Sequence, residues 1–275
     1  MRWLVYLLLC AAPWKTSAQD IDSRLREVVS VSRTNVPAAL TLYERIARDF
    51  PTNSQPLVLR ARLLDRSRRY EDALRDLSAA LKLDPKTPQL WQARGEVNFK
   101  AGYFKESVAD FDRVLERSPG QAPHHWQRGI SLYYAGRFAD GRKQFDLHRA
   151  VNPNDVENAV WHFLCAAREQ GITNARASML PVGPDSRVPM AEIDSLYRGT
   201  GSVEKVISAA TRPTSDPRQR EAIFYAHLYL GLFFDVSGEA AKAREHISKA
   251  ATDLSAEHYM GDVARVHFRK LNATQ

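Results

Sequence analysis

Apolar positions return along this chain at a fixed interval. Phe111 and Phe145 stand 34 residues apart, and Leu77 and Tyr43 hold the same place one and two intervals before Phe111. Small residues keep the interval at Ala39, Ala73 and Ser107, and glycines keep it at Gly95 and Gly129 and again at Gly102 and Gly136. Pro51, Pro85, Pro119 and Pro153 fall on it four times running. Inside one interval the spacing is helical: Trp126, Ile130, Tyr133 and Tyr134 sit at i, i+4, i+7 and i+8, one stripe of a helix. The pattern predicts two antiparallel helices per interval. Gly102 and Gly136 end the first helix of a pair in the left-handed conformation. The prolines close each pair, because a helix rarely runs through the residue before proline. Gly129 would cost a helix interior about 1 kcal/mol against alanine. It is expected for close approach to a neighbouring helix, as are Gly95 and Ala61 at the equivalent positions.

A helical pair repeated every 34 residues has the period of the tetratricopeptide repeat. The chain resembles that family from about Asp20 to Asp155, in units 20–53, 54–87, 88–121 and 122–155. In the last of these the first-helix signature falls on His125, Arg128, Gly129 and Leu132, and the second-helix signature on Gly141, Phe145 and His148, followed by Pro153. Gly141, His148 and Asn98 depart from the apolar residues expected at their places. The first unit is degenerate in its first helix, as terminal repeats often are. Past Asp155 the interval fails. Val156–Arg168 reads as one more first helix, and Ala175–Leu180 begins its mate. An irregular segment follows, broken at "PVGPDSRVP", with short helical patterns over Met190–Tyr197 and Ser202–Ala210. Asp216 is a candidate N-cap with Pro217 at the first helical position. A further repeat-like pair then carries Gly231, Gly238, Ala243, Ile247 and Ala250, and a helix over Ala256–Lys270 closes the chain. The fold class is therefore all-α: a right-handed α-solenoid superhelix of tetratricopeptide hairpins, with an irregular helical insert (156–219) before a C-terminal pair and closing helix (220–275).

In that family the first helices line a concave surface, and the resemblance implies a partner-binding groove there. Its residues in this chain are Arg62, Gln92, Glu96, Trp126, Ile130, Tyr133, Tyr134, Trp161 and Arg168. Trp, Tyr and Arg carry much of the energy of protein interfaces. Tyr134 and Arg168 are expected to stay accessible. The other reading is that the segment Pro181–Gln219 folds back over Trp126 and Tyr133 and makes the stripe part of the core. The Lys/Asn/Arg clamp by which chaperone-binding members of the family hold a carboxylate is not formed by Val58, Arg62, Gln92, Glu96, Trp126 and Ile130.

The N-terminus changes the picture of where this surface works. Arg2 precedes an apolar run from Trp3 to Trp14, too short for the roughly 20 residues of a membrane span. It reads as a secretory leader, residues 1–18, cleaved after "TSA" at Ala18. Lipid attachment at Cys10 is the alternative, and Leu9 before it argues against that. Only two cysteines occur. With Cys10 in the leader, Cys165 has no intramolecular partner and reads as a buried, inert thiol. Lys and Arg number 39 against 32 Asp and Glu, a net charge of +7. The basic residues are mixed with acids nearly everywhere, which argues against a nucleic-acid surface.

"RGISLYYAGRF", "NPNDVENAVWHFL" and "FYAHLYLGLFFDVSG" after an irregular insert resemble the bacterial lipoprotein NlpI family. That resemblance implies an exported, non-catalytic adaptor. It would bring together envelope enzymes such as a processing protease and peptidoglycan hydrolases, and form a homodimer. "HYMGDVARVHF" near the end has no counterpart in it. Two rival functions stand beside this one. The Arg-rich run Leu59–Leu77 suits an anionic envelope surface, by peripheral membrane association. Eight histidines raise the question of an enzyme. Yet His124 and His125 are adjacent and point apart on a helix, and no HExxH, paired CxxC, nucleophile elbow or phosphate loop occurs. No catalytic, metal or cofactor residue is assigned. His162, His227, His258 and His267 read as core histidines with hydrogen-bond partners, and Asp110 and Asp112 as solvated residues of a second helix.

Overall fold

The structure is a computed structural model that describes residues 18–213 and 218–273. The leader up to residue 17, with Cys10, lies outside the described residues, as do Asp216 and Pro217. Every regular element among the described residues is helical. The chain divides between Asp84 and Pro85 into two compact units.

The first unit holds α1 (Ala18–Val31), α2 (Val36–Asp49), α3 (Gln55–Arg66) and α4 (Tyr70–Leu83). Ile21, Leu25 and Val28 recur at i, i+4 and i+7 on α1 and pack against Ala39, Tyr43 and Ile46 of α2 and Leu63 of α3. Asn35 starts α2 by accepting a hydrogen bond from the Ala38 amide at 3.0 Å, with Pro37 in the first turn.

The second unit opens with two further hairpins, α5 (Pro88–Ala101) with α6 (Phe104–Arg117) and α7 (Trp126–Tyr134) with α8 (Phe138–Arg149). A 3-10 turn, Pro119–His124, stands between them. Next come α9 (Val156–Gln170) and α10 (Ile172–Ala177). Here the second helix starts three residues before the predicted Ala175 and stops after six residues. α11 (Met190–Arg198), α12 (Val203–Thr211), α13 (Gln219–Val236) and α14 (Ala240–Ser248) follow. A π-turn, Lys249–Asp253, leads to α15 (Tyr259–Ala273). Pro51, Pro85, Pro119 and Pro153 follow the ends of α2, α4, α6 and α8.

The glycines act as two sets. Gly102 and Gly136 lie just past α5 and α7 with φ of +93° and +75°, the left-handed corner. Gly95 and Gly129 are helical, and the neighbour that excludes a side chain is the second-helix phenylalanine of the same hairpin. A Cβ on Gly129 would sit 2.6 Å from the Phe145 ring, and one on Gly95 2.6 Å from Phe111. Gly231 faces Ile247 in the same way. Gly141 makes room for the Cys165 sulfur, 2.8 Å from its would-be Cβ. Cys165 is fully buried and burial raises its thiol pKa, so it stays protonated.

A second repeated device is polar. Arg60 grips Asp76 through two bonds of 2.7 and 2.6 Å, and Arg94 grips Asp110 through two of 2.9 and 2.7 Å. Arg128, one interval on, reaches Gln144 at 3.1 Å and Asp112 at 2.7 Å. Arg60 and Arg94 each tie a first helix to its own second helix, while Arg128 ties α7 to α8 through Gln144 and to the preceding α6 through Asp112. Asp110 is therefore not solvated as expected. It is 3% exposed and also accepts from Asn98 at 2.9 Å, which accounts for asparagine at that core position. Removing one partner of such a buried pair leaves an uncompensated charge, at a cost of about 3–5 kcal/mol. In the Arg-rich run, Asp72 binds both Arg69 and Arg75.

Candidate functional site

The stripe on α7 is the centre of an aromatic cluster in the second unit. Tyr133 packs edge-on against Trp161 at 5.5 Å, and Tyr134 against Phe99 at 5.5 Å. The segment that covers this stripe is α15, and not the insert 181–219. Tyr259 stacks on Phe99 with ring centroids 5.3 Å apart and meets Trp126 edge-on at 5.0 Å. Two turns further along α15, the Nδ1 of His267 lies 3.0 Å from the Tyr134 hydroxyl. Arg269 donates to the Lys100 carbonyl, and Lys100 lies 3.7 Å from Asp262. "HYMGDVARVHF" is thus the helix that occupies the face of α5 and α7.

Asp235 of α13 holds this helix in place. It pairs with Arg168 and lies 3.3 Å from His267 Nε2 and 3.8 Å from Lys270. Arg168 also donates to the Tyr133 hydroxyl at 3.2 Å. Burial acts to raise the Asp235 carboxyl, but the bond from His267 and the charges around it outweigh that and hold it well below the usual range. Burial keeps His267 neutral. A neutral ring protonated on Nε2 fits both contacts: it donates to Asp235 and accepts from Tyr134. Burial pushes the Tyr133 hydroxyl up to about 12, so it too stays protonated.

Of the predicted groove residues, Ile130, Tyr133, Tyr134 and Trp161 are buried under this cover. The expectation that Tyr134 stays accessible is corrected: at 9% exposure it is a core residue bonded to α15. Arg168 keeps partial exposure while tied to Asp235. Gln92 and Glu96 form a closed polar group with Gln127, at 2.8 to 3.0 Å. Arg62 is exposed on α3 in the first unit. Trp126 remains half-buried.

Trp126 borders what is left open. A hollow of about 500 Å³ lies beside the first turn of α15, floored by Trp126, Ile130, Phe145 and Trp161. Asp155, Glu157, Glu221, Tyr225, His258 and Tyr259 are also part of its lining. Asp155 and Glu157 bind Arg187 at 2.8 and 2.5 Å, and Glu157 accepts from the Tyr229 hydroxyl. Burial raises the Glu157 carboxyl, opposed by Arg187 and Tyr229. Asn158 Oδ1, Trp161 Nε1 and His258 Nε2, on residues that border the hollow, are sealed from solvent and have no hydrogen-bond partner among the described residues. Sequence reading missed Asn158, Glu221, His258 and Tyr259. The visible signal was the polar residues Asn158, Asp235 and His267 inside apolar helical runs.

The other histidines have structural surroundings. His125 caps α7 by accepting from the Arg128 amide and rests on Phe111. His227 and His246 bond to each other at 2.9 Å. His162 departs from expectation, because its Nδ1 is buried without a partner. Among the described residues no three His, Cys, Asp or Glu side chains gather as metal ligands. None of the described helices is long and apolar enough to cross a membrane.

Comparison with known proteins points one way. The tetratricopeptide-repeat family model matches residues 58–122. A tetratricopeptide repeat protein from Parabacteroides merdae shares the fold at a TM-score of 0.57 and 14% identity, covering 92% of this chain and 99% of that one. PilW, a type IV pilus biogenesis factor, aligns at 0.52 and 14% identity, covering 90% and 99%. MamA from Desulfovibrio magneticus aligns at 0.50 and 17% identity, covering 56% and 90%. The repeated hairpins, their glycine and proline corners and the matched segment together identify a tetratricopeptide-repeat fold, with the family model matching residues 58–122.

Proposed function

We propose that this protein is an exported, non-catalytic adaptor that binds segments of partner proteins through the hollow beside Trp126. One observation carries the reading: a hollow of about 500 Å³ on a repeat scaffold, bordered by the half-buried rings of Trp126 and Tyr225 and by Asp155, Glu157 and Glu221. Concave openings with aromatic walls and a few convergent polar groups are the usual form of a binding site. The leader-like residues 1–18 support export. The resemblance to the NlpI family supports partners among envelope proteases or peptidoglycan hydrolases, and a homodimer.

The test is site-specific photo-crosslinking from Asn152, an exposed residue of the rim, with Glu116 on α6 as control. A partner captured from Asn152 alone is then purified and its affinity measured. Trp126→Ala is expected to weaken it at least about tenfold, the loss of an aromatic anchor, with an unchanged helical spectrum. Equal affinity in a folded variant overturns the hollow as the binding site. Fractionation and the mature N-terminal residue check export.

A further inference from the structure

We propose that His227 and His246 hold one divalent transition-metal ion, copper(II) best, between α13 and α14. The inference is independent of the adaptor reading.

The repeat itself singles out this pair. Gly231 and Ile247 stand three intervals of 34 after Gly129 and Phe145, and the same close contact joins them. Counted by that interval, the second-helix place of Asp76, Asp110 and Gln144 falls on His246. The place of the gripping arginines Arg60, Arg94 and Arg128 falls on Leu230, which is fully buried and has no polar side chain. The last hairpin has therefore lost the arginine that fastens its predecessors, and His246 turns to His227 instead. Two neutral imidazoles bond to each other here only when one carries its proton on Nδ1. With both protons on Nε2, two lone pairs face one point, which is what a metal ion requires.

The geometry is that of a chelate. The two Nδ1 atoms lie 2.9 Å apart, with ring planes inclined by 35°. An ion about 2.0–2.1 Å from each nitrogen, the usual metal–imidazole length, sees them at an angle of about 90°. That is the cis angle of square-planar or tetragonal copper(II), and copper(II) also heads the affinity order of the divalent ions. A tetrahedral zinc ion needs the nitrogens about 3.3 Å apart, so the rings must first separate. Phe234 stacks on His246 at 5.4 Å and steadies its ring.

The change from hydrogen bond to chelate moves one proton from Nδ1 to Nε2 of the donor ring and releases none. Neither Nε2 is buried without a partner, so the proton is accommodated there. Burial lowers both histidines, so at neutral pH an ion displaces no proton from them. Lys249 is the cation that opposes an ion at this place, and Glu245 pairs with it at 2.8 Å. His227 is half-buried, which leaves a way in, and water completes the coordination. A bound ion joins the first helix to the second, the task that arginines perform in the earlier hairpins.

The probe is copper(II) chloride, titrated at neutral pH into the full chain without an affinity tag, after treatment with a chelator. Electron paramagnetic resonance is expected to show one copper per chain with two imidazole nitrogens. His246→Gln introduces the residue type that the repeat already carries as Gln144, and His227→Gln is its counterpart. Each should weaken copper at least about tenfold, the least that losing a partner of a metal site costs, and leave one nitrogen in the spectrum. His124→Gln, at an exposed histidine, should change neither. Copper should raise the melting temperature of the parent and not of the two variants. No two-nitrogen signal in the parent overturns the proposal and leaves the pair a hydrogen bond only. So does parent-like affinity in either folded variant. If a variant does not fold, the spectrum of the parent decides.

Discussion

At the scale of single residues, two glycines seven positions apart do unrelated work. Gly129 is helical and is excluded from bearing a side chain by the Phe145 ring; Gly136 has open space around it and a backbone that L-residues avoid. Alanine at Gly129 should cost about 1–3 kcal/mol by overpacking, and alanine at Gly136 about 1–2 kcal/mol through its backbone. The mechanisms separate in a double mutant: Phe145→Leu should restore part of the stability lost by Gly129→Ala and none of that lost by Gly136→Ala. Thermal melts of the four variants check this, and equal rescue of both would refute it. The interval of 34 showed both glycines from sequence. It did not show what Gly129 faces, because a repeat places a residue in a helix without saying which neighbouring ring fills the space. The same limit applies to Asp110, which lies among charged residues in sequence but under Arg94 and Asn98 in space.

At the scale of elements, the decisive piece is α15. Its buried positions Met260, Val263, Ala264, His267 and Leu271 form one face, so a docked helix was legible. Its destination was not, since an apolar face does not name the surface it meets. The docking depends on Asp235, which is paired to Arg168 and neighboured by His267 and Lys270. Asp235→Ala leaves Arg168 on α9 and His267 and Lys270 on α15 without their counter-charge. It should lower the local stability of α15 by about 2–3 kcal/mol. Hydrogen exchange over 259–273 should then speed up roughly a hundredfold, while α5 and α6 keep their protection. Uniform loss of protection across the second unit would show instead that α15 unfolds only with the rest. The hairpins α2 to α8 were readable because prolines and glycines punctuate them. The insert between α10 and α13 was not, because it keeps no period.

At the scale of the whole molecule, histidines set the response to acid. His125 and His227 are each pushed down to about 4, by burial first, and burial lowers His162, His246, His258 and His267 as well. An unfolded chain binds these protons near pH 6.5, before the folded one does. Stability is therefore present above that pH and is lost as pH falls from about 6.5 towards 4. His148 works the other way, its pKa raised chiefly by Asp155. Its contribution is full at low pH and fades as pH rises through its folded value. Six against one makes the net change a loss on acidification. His125→Asn keeps a capping acceptor and removes one titration worth roughly 2–3 kcal/mol. The variant should melt below the parent at pH 7, and the gap should close by pH 4. A gap independent of pH would refute this.

The docking of α15 also sets a threshold for everything that approaches its seat. The helix is tethered through residues 254–258, so it rebinds at an effective concentration on the order of millimolar, whatever the protein concentration. A ligand that sought the Phe99 and Tyr134 face would have to outbid that permanent competitor. One that enters beside Trp126 faces no such contest, which is why weak, quickly exchanging recognition is feasible there and nowhere under the helix.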